Sequence, residues 1–329
     1  MSRFNLQSLG FAILVLILAL FGKQGSGETG FPVTSNVETT SLIAETFSRI
    51  EDEVPPPPPN LSLTTATARS RNRILFDAHP ADGTPKISPP TIHAKAVAVS
   101  ELGSSLPLFS EGYRNRWPIA SLTKLMTAVV ALDEFDPAHI ITISETAAGA
   151  VGDIGTFRAG DRFTVSDLIR AMLVGSVNDA AMALAESFDY EQFLDAMRTK
   201  AFALGMNETT FADPMGISVL NQSTAEDLTK LANFIATTHR IIFDLTALKG
   251  TIITEQGTGT KRPIAATNLL AGTAGFVGGK TGYTSDAIGN LLSIFSNGTQ
   301  EFVVIVLGTP DRFRETETLW SWTKKVQSF

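Results

Sequence analysis

Pro118-Ile119-Ala120-Ser121-Leu122-Thr123-Lys124-Leu125-Met126-Thr127 heads an apolar run that continues to Asp133. A proline just before the first turn, with apolar residues following, predicts a buried helix over Ile119 to Asp133. Ser121 and Lys124 are three apart, so on that helix their side chains share a face. A serine in the first turn also lies at the positive end of the helix, which favours an oxyanion there. Upstream, Ala94 to Val99 reads as a strand, and Leu106 to Phe109 returns as its hairpin partner across Gly103. Downstream come short strands at Ile140 to Ile143 and Arg162 to Val165, then a helical block. In that block Ser166 is read as the N-cap of a helix ending at Leu173, with further helices over Asn178 to Phe188 and Tyr190 to Leu204, and Gly205 at a C-cap. A capping box opens another helix over Ser223 to Thr237. Five strands follow, at Thr251 to Glu255, Lys261 to Ala266, Phe276 to Tyr283, Leu291 to Phe295 and Phe302 to Leu307. A last helix runs from about Arg312 to Val326. Strands, a helical block, more strands and a helix predict an α+β fold: an antiparallel sheet with flanking helices and an inserted helical lobe.

Two more motifs follow Ser121-Leu122-Thr123-Lys124 in order. Ser176-Val177-Asn178 lies in Leu173 to Ala181, and Lys280-Thr281-Gly282 lies in Val277 to Thr284. A Ser-x-x-Lys alone is weak; a chain of this size and ordinary composition holds roughly one by chance. A second copy stands at Ser321 to Lys324, close to the C-terminus with no motif after it, and reads as a solvated helix end. A second Ser-x-Asn, Ser70-Arg71-Asn72, lies in polar linker, and Lys-Thr-Gly occurs once. Taken singly, Ser176-Val177-Asn178 is also a helix N-cap and Lys280-Thr281-Gly282 a strand-end turn. Their order and their apolar frames set the combination apart.

The residue types define a chemistry. A serine hydroxyl is a poor nucleophile until a base takes its proton. Lys124 can be that base if burial and a second cation, Lys280, lower its pKa. Ser176 can relay the proton to a leaving amine, and Asn178 can hydrogen-bond Lys124 and a substrate amide. Lys280 and Thr281 can bind a carboxylate. Gly278, Gly279 and Gly282 leave room for a substrate backbone along the strand. The backbone N–H groups of Ser121 and Tyr283 then form an oxyanion hole.

Composition narrows the alternatives. The 329 residues carry a net charge of −7 with no basic cluster after the N-terminus, which argues against nucleic acid as a partner. Cys is absent, which excludes disulfides and thiolate catalysis. His79, His93, His139 and His239 show no metal-ligand spacing, so no metal site and no cofactor is expected. At the N-terminus, Arg3 precedes the apolar run Leu9 to Phe21, which is shorter than the roughly 20 residues of a full span. Residues 1–27 are read as a signal peptide or N-terminal membrane anchor, putting the rest outside the cytoplasm. Residues 28–89 are an acidic, then Pro/Ser/Thr-rich linker. Glu28 to Glu53 holds six acids and one Arg, and Pro55 to Pro59 is a stiff proline run. Whether this is a functional tether or filler stays open. Residues 90–329 form the predicted catalytic domain.

At the three motifs the chain resembles the low-molecular-mass D-alanyl-D-alanine carboxypeptidases, penicillin-binding serine peptidases with a β-lactamase/transpeptidase-like fold. The likeness covers about Ala94 to Lys325. Besides the motifs it includes Gly160-Asp161, Thr164 to Leu168, Leu204-Gly205-Met206, Thr210-Phe211, Asp213-Pro214-Met215-Gly216, Ser223-Thr224-Ala225 and Asn268-Leu269-Leu270. The resemblance implies that Ser121 forms the acyl-enzyme, Lys124 is its base, Ser176 and Asn178 complete the catalytic centre, and Lys280 with Thr281 binds the substrate's terminal carboxylate. The implied partners are a peptidoglycan stem peptide ending in D-Ala-D-Ala and β-lactams as covalent inhibitors. Two departures stand out. Val177 replaces the usual Gly of the second motif and is expected to narrow the cleft. The chain ends soon after the catalytic fold, leaving membrane attachment to the N-terminal segment. A D,D-endopeptidase, a class A-like β-lactamase and a non-catalytic peptidoglycan-binding protein are the alternatives. The β-lactamase needs a Glu for deacylation where this chain has Phe211-Ala212-Asp213-Pro214.

Overall fold

The computed structural model describes residues 74–75, 87–152 and 157–328. The expected signal or anchor segment, and almost all of the expected linker, lie outside the described residues. Among the described residues no helix is long and apolar enough to cross a membrane.

The strands are β1 (Ile74–Leu75), β2 (Ala96–Glu101), β3 (Phe109–Glu111), β4 (Trp117–Pro118), β5 (Ile140–Thr142), β6 (Arg162–Thr164), β7 (Gln222–Ser223), β8 (Gly250–Thr254), β9 (Lys261–Ala265), β10 (Phe276–Gly282), β11 (Asn290–Ser296) and β12 (Glu301–Leu307). The helices are α1 (Thr123–Glu134), α2 (Glu145–Ala148), α3 (Val165–Val174), α4 (Asn178–Phe188), α5 (Tyr190–Ala203), α6 (Ala225–Thr238), α7 (Ile241–Thr246) and α8 (Arg312–Val326). Six strands form one antiparallel sheet in the order β1-β3-β2-β12-β11-β10. The chain between β3 and β10 forms the helical lobe, with three two-stranded pairs, β4–β7, β5–β6 and β8–β9. The expected α+β architecture is present. Ile74–Leu75, within the segment read as linker, pairs with β3 and adds an edge strand.

Side chains alternate across a strand, and both faces of this sheet are covered. In β12, Val303, Ile305 and Leu307 face the cluster that holds the helical lobe. Phe302, Val304 and Val306 face the other side, with Leu319, Trp320 and Trp322 of α8. That is why β12 reads as an unbroken apolar run rather than an alternating one. Helix α1 is buried from Thr123 through Ala131, as its all-round apolar sequence requires.

Caps account for the boundaries that the sequence misplaced. Helix α3 starts at Val165 because the Thr164 side chain accepts from the Asp167 backbone N–H; Ser166 is inside the helix. Helix α6 is capped by Thr224, which accepts from the Asp227 N–H, while Ser223 belongs to β7. Helices α2 and α7, of four and six residues, were not expected.

Candidate active site

Ser121 lies one turn ahead of α1 in a 3-10 turn, Ala120–Leu122, and that turn is under backbone constraint. Ala120 has φ +49, a left-handed conformation that non-glycine residues adopt only when their surroundings impose it. Two glycines supply those surroundings. Gly216 has φ +86, and a methyl group there would fall 2.1 Å from the Ala120 carbonyl oxygen. A methyl group on Gly282, at the end of β10, would fall 2.7 Å from the Ile119 oxygen and 3.2 Å from the Ser121 nitrogen. The nucleophile turn is therefore held between a loop of the helical lobe and the end of β10.

One turn further on, Lys124 is fully buried. Its Nζ donates to Ser121 Oγ at 3.0 Å, to Asn178 Oδ1 at 2.6 Å and to the Met215 carbonyl at 2.7 Å. Asn178 reaches Lys124 from the first residue of α4. Its Nδ2 donates to the Val151 carbonyl at 2.7 Å, so the amide group expected to meet substrate is engaged within the protein.

Ser176 has φ +60, a second left-handed residue at the site. Its hydroxyl does not cap α4; Val177 is the N-cap, with no side-chain capping bond. Instead Ser176 Oγ accepts from Lys280 Nζ at 2.8 Å. The turn at Ser176 sends Val177 into the apolar core of the lobe, where it is buried. This corrects the expectation that Val177 narrows the cleft.

Lys280, in β10, is buried and also donates to the Thr281 carbonyl at 3.1 Å. Burial holds its ammonium well below the usual lysine range, and repulsion from Lys124 and then Arg312 adds to the effect. Thr281 is buried, with its hydroxyl 3.3 Å from Thr267 Oγ1. Tyr283 is exposed just beyond the end of β10. The structure thus joins Ser121, Lys124 and Asn178 directly, joins Lys280 to Ser176, and brings the two lysines close enough to repel.

Sequence reasoning missed three contributors. In the sequence Arg312 stands out only as the start of the last helix. Burial lowers its pKa from the ordinary value, while Tyr283 acts in the opposite direction. Its Nε is buried with no hydrogen-bond partner among the described residues. No motif marks it. The second is the Met215 carbonyl, a backbone group that side-chain patterns cannot reveal. The third is Val151, on the loop that holds Asn178.

Three comparisons bear on this arrangement. The family model for D-alanyl-D-alanine carboxypeptidases matches residues 84–311. A D-alanyl-D-alanine endopeptidase of Escherichia coli (strain K12) is 38% identical over 149 residues, covering 44% of this chain and 48% of the relative. The chain spans about half the length of the curated relatives it matches first. Among solved structures, a D-alanyl-D-alanine carboxypeptidase from Mycobacterium tuberculosis H37Rv superposes with a TM-score of 0.66 at 26% identity, over 76% of this chain and 96% of that one. Penicillin-binding protein D2 from Listeria monocytogenes, solved in its ampicillin-bound form, superposes with a TM-score of 0.62 at 31% identity, over 71% and 98%.

Proposed function

The chain belongs to the D-alanyl-D-alanine carboxypeptidase family, and from that premise we propose that it is a serine-type D,D-carboxypeptidase acting on peptidoglycan stem pentapeptides. The observation that carries this reading is the pair of buried lysines, each hydrogen-bonded to a motif serine. Burying two cations side by side is costly, and it is tolerated where a neutral, basic amine is useful.

In the proposed reaction Ser121 Oγ attacks the carbonyl carbon of the penultimate D-Ala while Lys124 Nζ takes its proton. The carbonyl oxygen becomes an oxyanion facing the N–H groups of Ser121 and Tyr283. The C–N bond then breaks. The departing amine receives a proton passed from Lys124 through Ser176, and free D-Ala leaves. Water next attacks the acyl-Ser121 carbonyl, gives a proton to Lys124, and Ser121 Oγ is reprotonated as the acid departs. Thr281 and Lys280 hold the terminal carboxylate. Arg312 adds a second positive charge there, since its guanidinium lies near enough to Lys280 to repel its ammonium. The same serine chemistry opens a β-lactam ring, and no cofactor is required.

Peptidoglycan lies outside the cytoplasm, so the proposed location is extracytoplasmic. Residues 1–27 would serve as signal peptide or membrane anchor. Cleavage of cross-links is the second reading, supported by the identity to the E. coli endopeptidase. A fluorescent penicillin tests the class, and digestion of pentapeptide against cross-linked dimers tests the preference. The reading requires a long-lived adduct and release of D-Ala from the pentapeptide; the absence of either would refute it.

A further inference from the structure

The loop from Asp213 to Asn221 is organised around one carboxylate. Asp213 is 7% exposed. Its Oδ1 accepts from the backbone N–H groups of Met215 at 2.8 Å, Gly216 at 2.6 Å and Ile217 at 3.2 Å. Its Oδ2 accepts from the Ser218 N–H at 2.7 Å and from Asn221 Nδ2 at 2.6 Å. Asn221 is itself buried and fixes the other end of the loop, accepting from the Ala212 N–H at 2.9 Å. Charge-assisted bonds to successive backbone N–H groups fix the peptide planes between them. Two of those planes matter for the site. One points the Met215 carbonyl at Lys124 Nζ, and the preceding one points the Pro214 carbonyl at Thr127 Oγ1, 2.6 Å away on the same helix.

We propose that Asp213 is a positioning residue for the base: it aims the Met215 carbonyl at Lys124 and so turns the lysine lone pair toward Ser121. The inference rests on Lys124 serving as the base. A neutral amine has two N–H bonds and one lone pair. Asn178 presents its oxygen to Lys124, because its Nδ2 is committed to Val151. The Met215 carbonyl can only accept. Both N–H bonds are drawn to these two oxygens, and the lone pair is left facing the Ser121 hydroxyl at 3.0 Å. Without the Met215 carbonyl one N–H is free to turn toward Ser121, and the proton then has no acceptor. The charge pattern requires Asp and not Asn at 213. Every group facing its two oxygens is a donor, so an Asn places an NH₂ against N–H groups in either orientation of its amide.

Asp213→Asn tests this in the full chain by rapid-mixing acylation with a fluorescent penicillin, the signal normalised to sites titrated by the burst. The acylation step should slow roughly 10- to 100-fold, the loss expected from misorienting a reacting group. The dissociation constant of the pre-covalent complex should stay within about twofold, because Lys280, Thr281 and Arg312 bind the carboxylate from β10 and α8. The exchange Asp213→Asn/Asn221→Asp returns a carboxylate to the pair and should recover part of the rate. If Asp213→Asn does not fold, Asn221→Ala, which removes one bond to Oδ2, should slow the same step by a smaller factor. Unchanged acylation in a folded variant, or a loss confined to the dissociation constant, would overturn the proposal. A wild-type chain that forms no adduct would instead defeat the assignment of Lys124 and Ser121, a separate result.

Discussion

Lys280 Nζ lies 2.8 Å from Ser176 Oγ, one hydrogen bond joining residues 104 apart in sequence. It makes the third motif a partner of the second. In the proposed mechanism Lys280 therefore serves both proton transfer and carboxylate binding, whereas Arg312 serves only the second. Arg312→Ala should lower kcat/KM on a substrate with a free terminal carboxylate by about one to two orders of magnitude more than on its amide, the worth of a charge-assisted bond at about 1.5–3 kcal/mol. Lys280→Ala should depress both substrates, with the acid again losing more. Kinetics on the matched acid and amide decide it: equal losses in the arginine variant would remove carboxylate recognition from that residue.

The depressed pKa of Lys280 carries a sign for stability. Between the folded pKa and the ordinary lysine value the unfolded chain binds the extra proton, so stability rises with pH across that window. Lys280→Met lacks this contribution. Urea unfolding of both proteins at pH 7 and pH 9.5 should show the wild type gaining on the variant at the higher pH. A constant gap would mean that Lys280 keeps an ordinary pKa.

Ser121→Ala should abolish penicillin acylation and leave the fold unchanged, since the side chain is only half-buried and one hydroxyl is lost. Intact-mass measurement should find an adduct on wild type alone. An adduct on the variant would move the nucleophile, with Ser176 the first suspect.

Gly216→Ala puts a methyl group 2.1 Å from the Ala120 oxygen at φ +86. Backbone strain alone costs about 1–3 kcal/mol, and relieving the overlap moves the nucleophile turn. A lower melting temperature together with slower acylation is expected. Full acylation in the variant would show that the turn tolerates displacement.

D-Ala release should persist in EDTA, because a serine–lysine pair needs no metal to make its nucleophile. Loss of activity that zinc restores would contradict the serine mechanism.

Long periodic elements were legible from sequence. Helix α8 was placed at its observed ends, and β12 was read from Phe302 to Leu307, one residue short of its true start. Each buries a continuous apolar surface, and that surface is written directly in residue type. The side chains of the site were legible for a similar reason, since Ser121, Lys124, Ser176, Asn178 and Lys280 stand in short motifs. What escaped is carried by backbone or by distant partners. The Met215 carbonyl, the left-handed residues Ala120 and Ser176, and Arg312 depend on how separate segments meet, which no local pattern encodes. The helix starts were misread where two hydroxyl residues lie close together, as with Thr164 and Ser166, because either can cap and only the fold chooses.

Gly216 belongs to the helical lobe and Gly282 to the sheet, yet both press on the same few backbone atoms beside Ser121. The turn works like a keystone, kept in place by pressure from two sides. Neither half of the fold shapes that turn alone, so in the proposed mechanism acylation of Ser121 by a β-lactam reports that lobe and sheet have met.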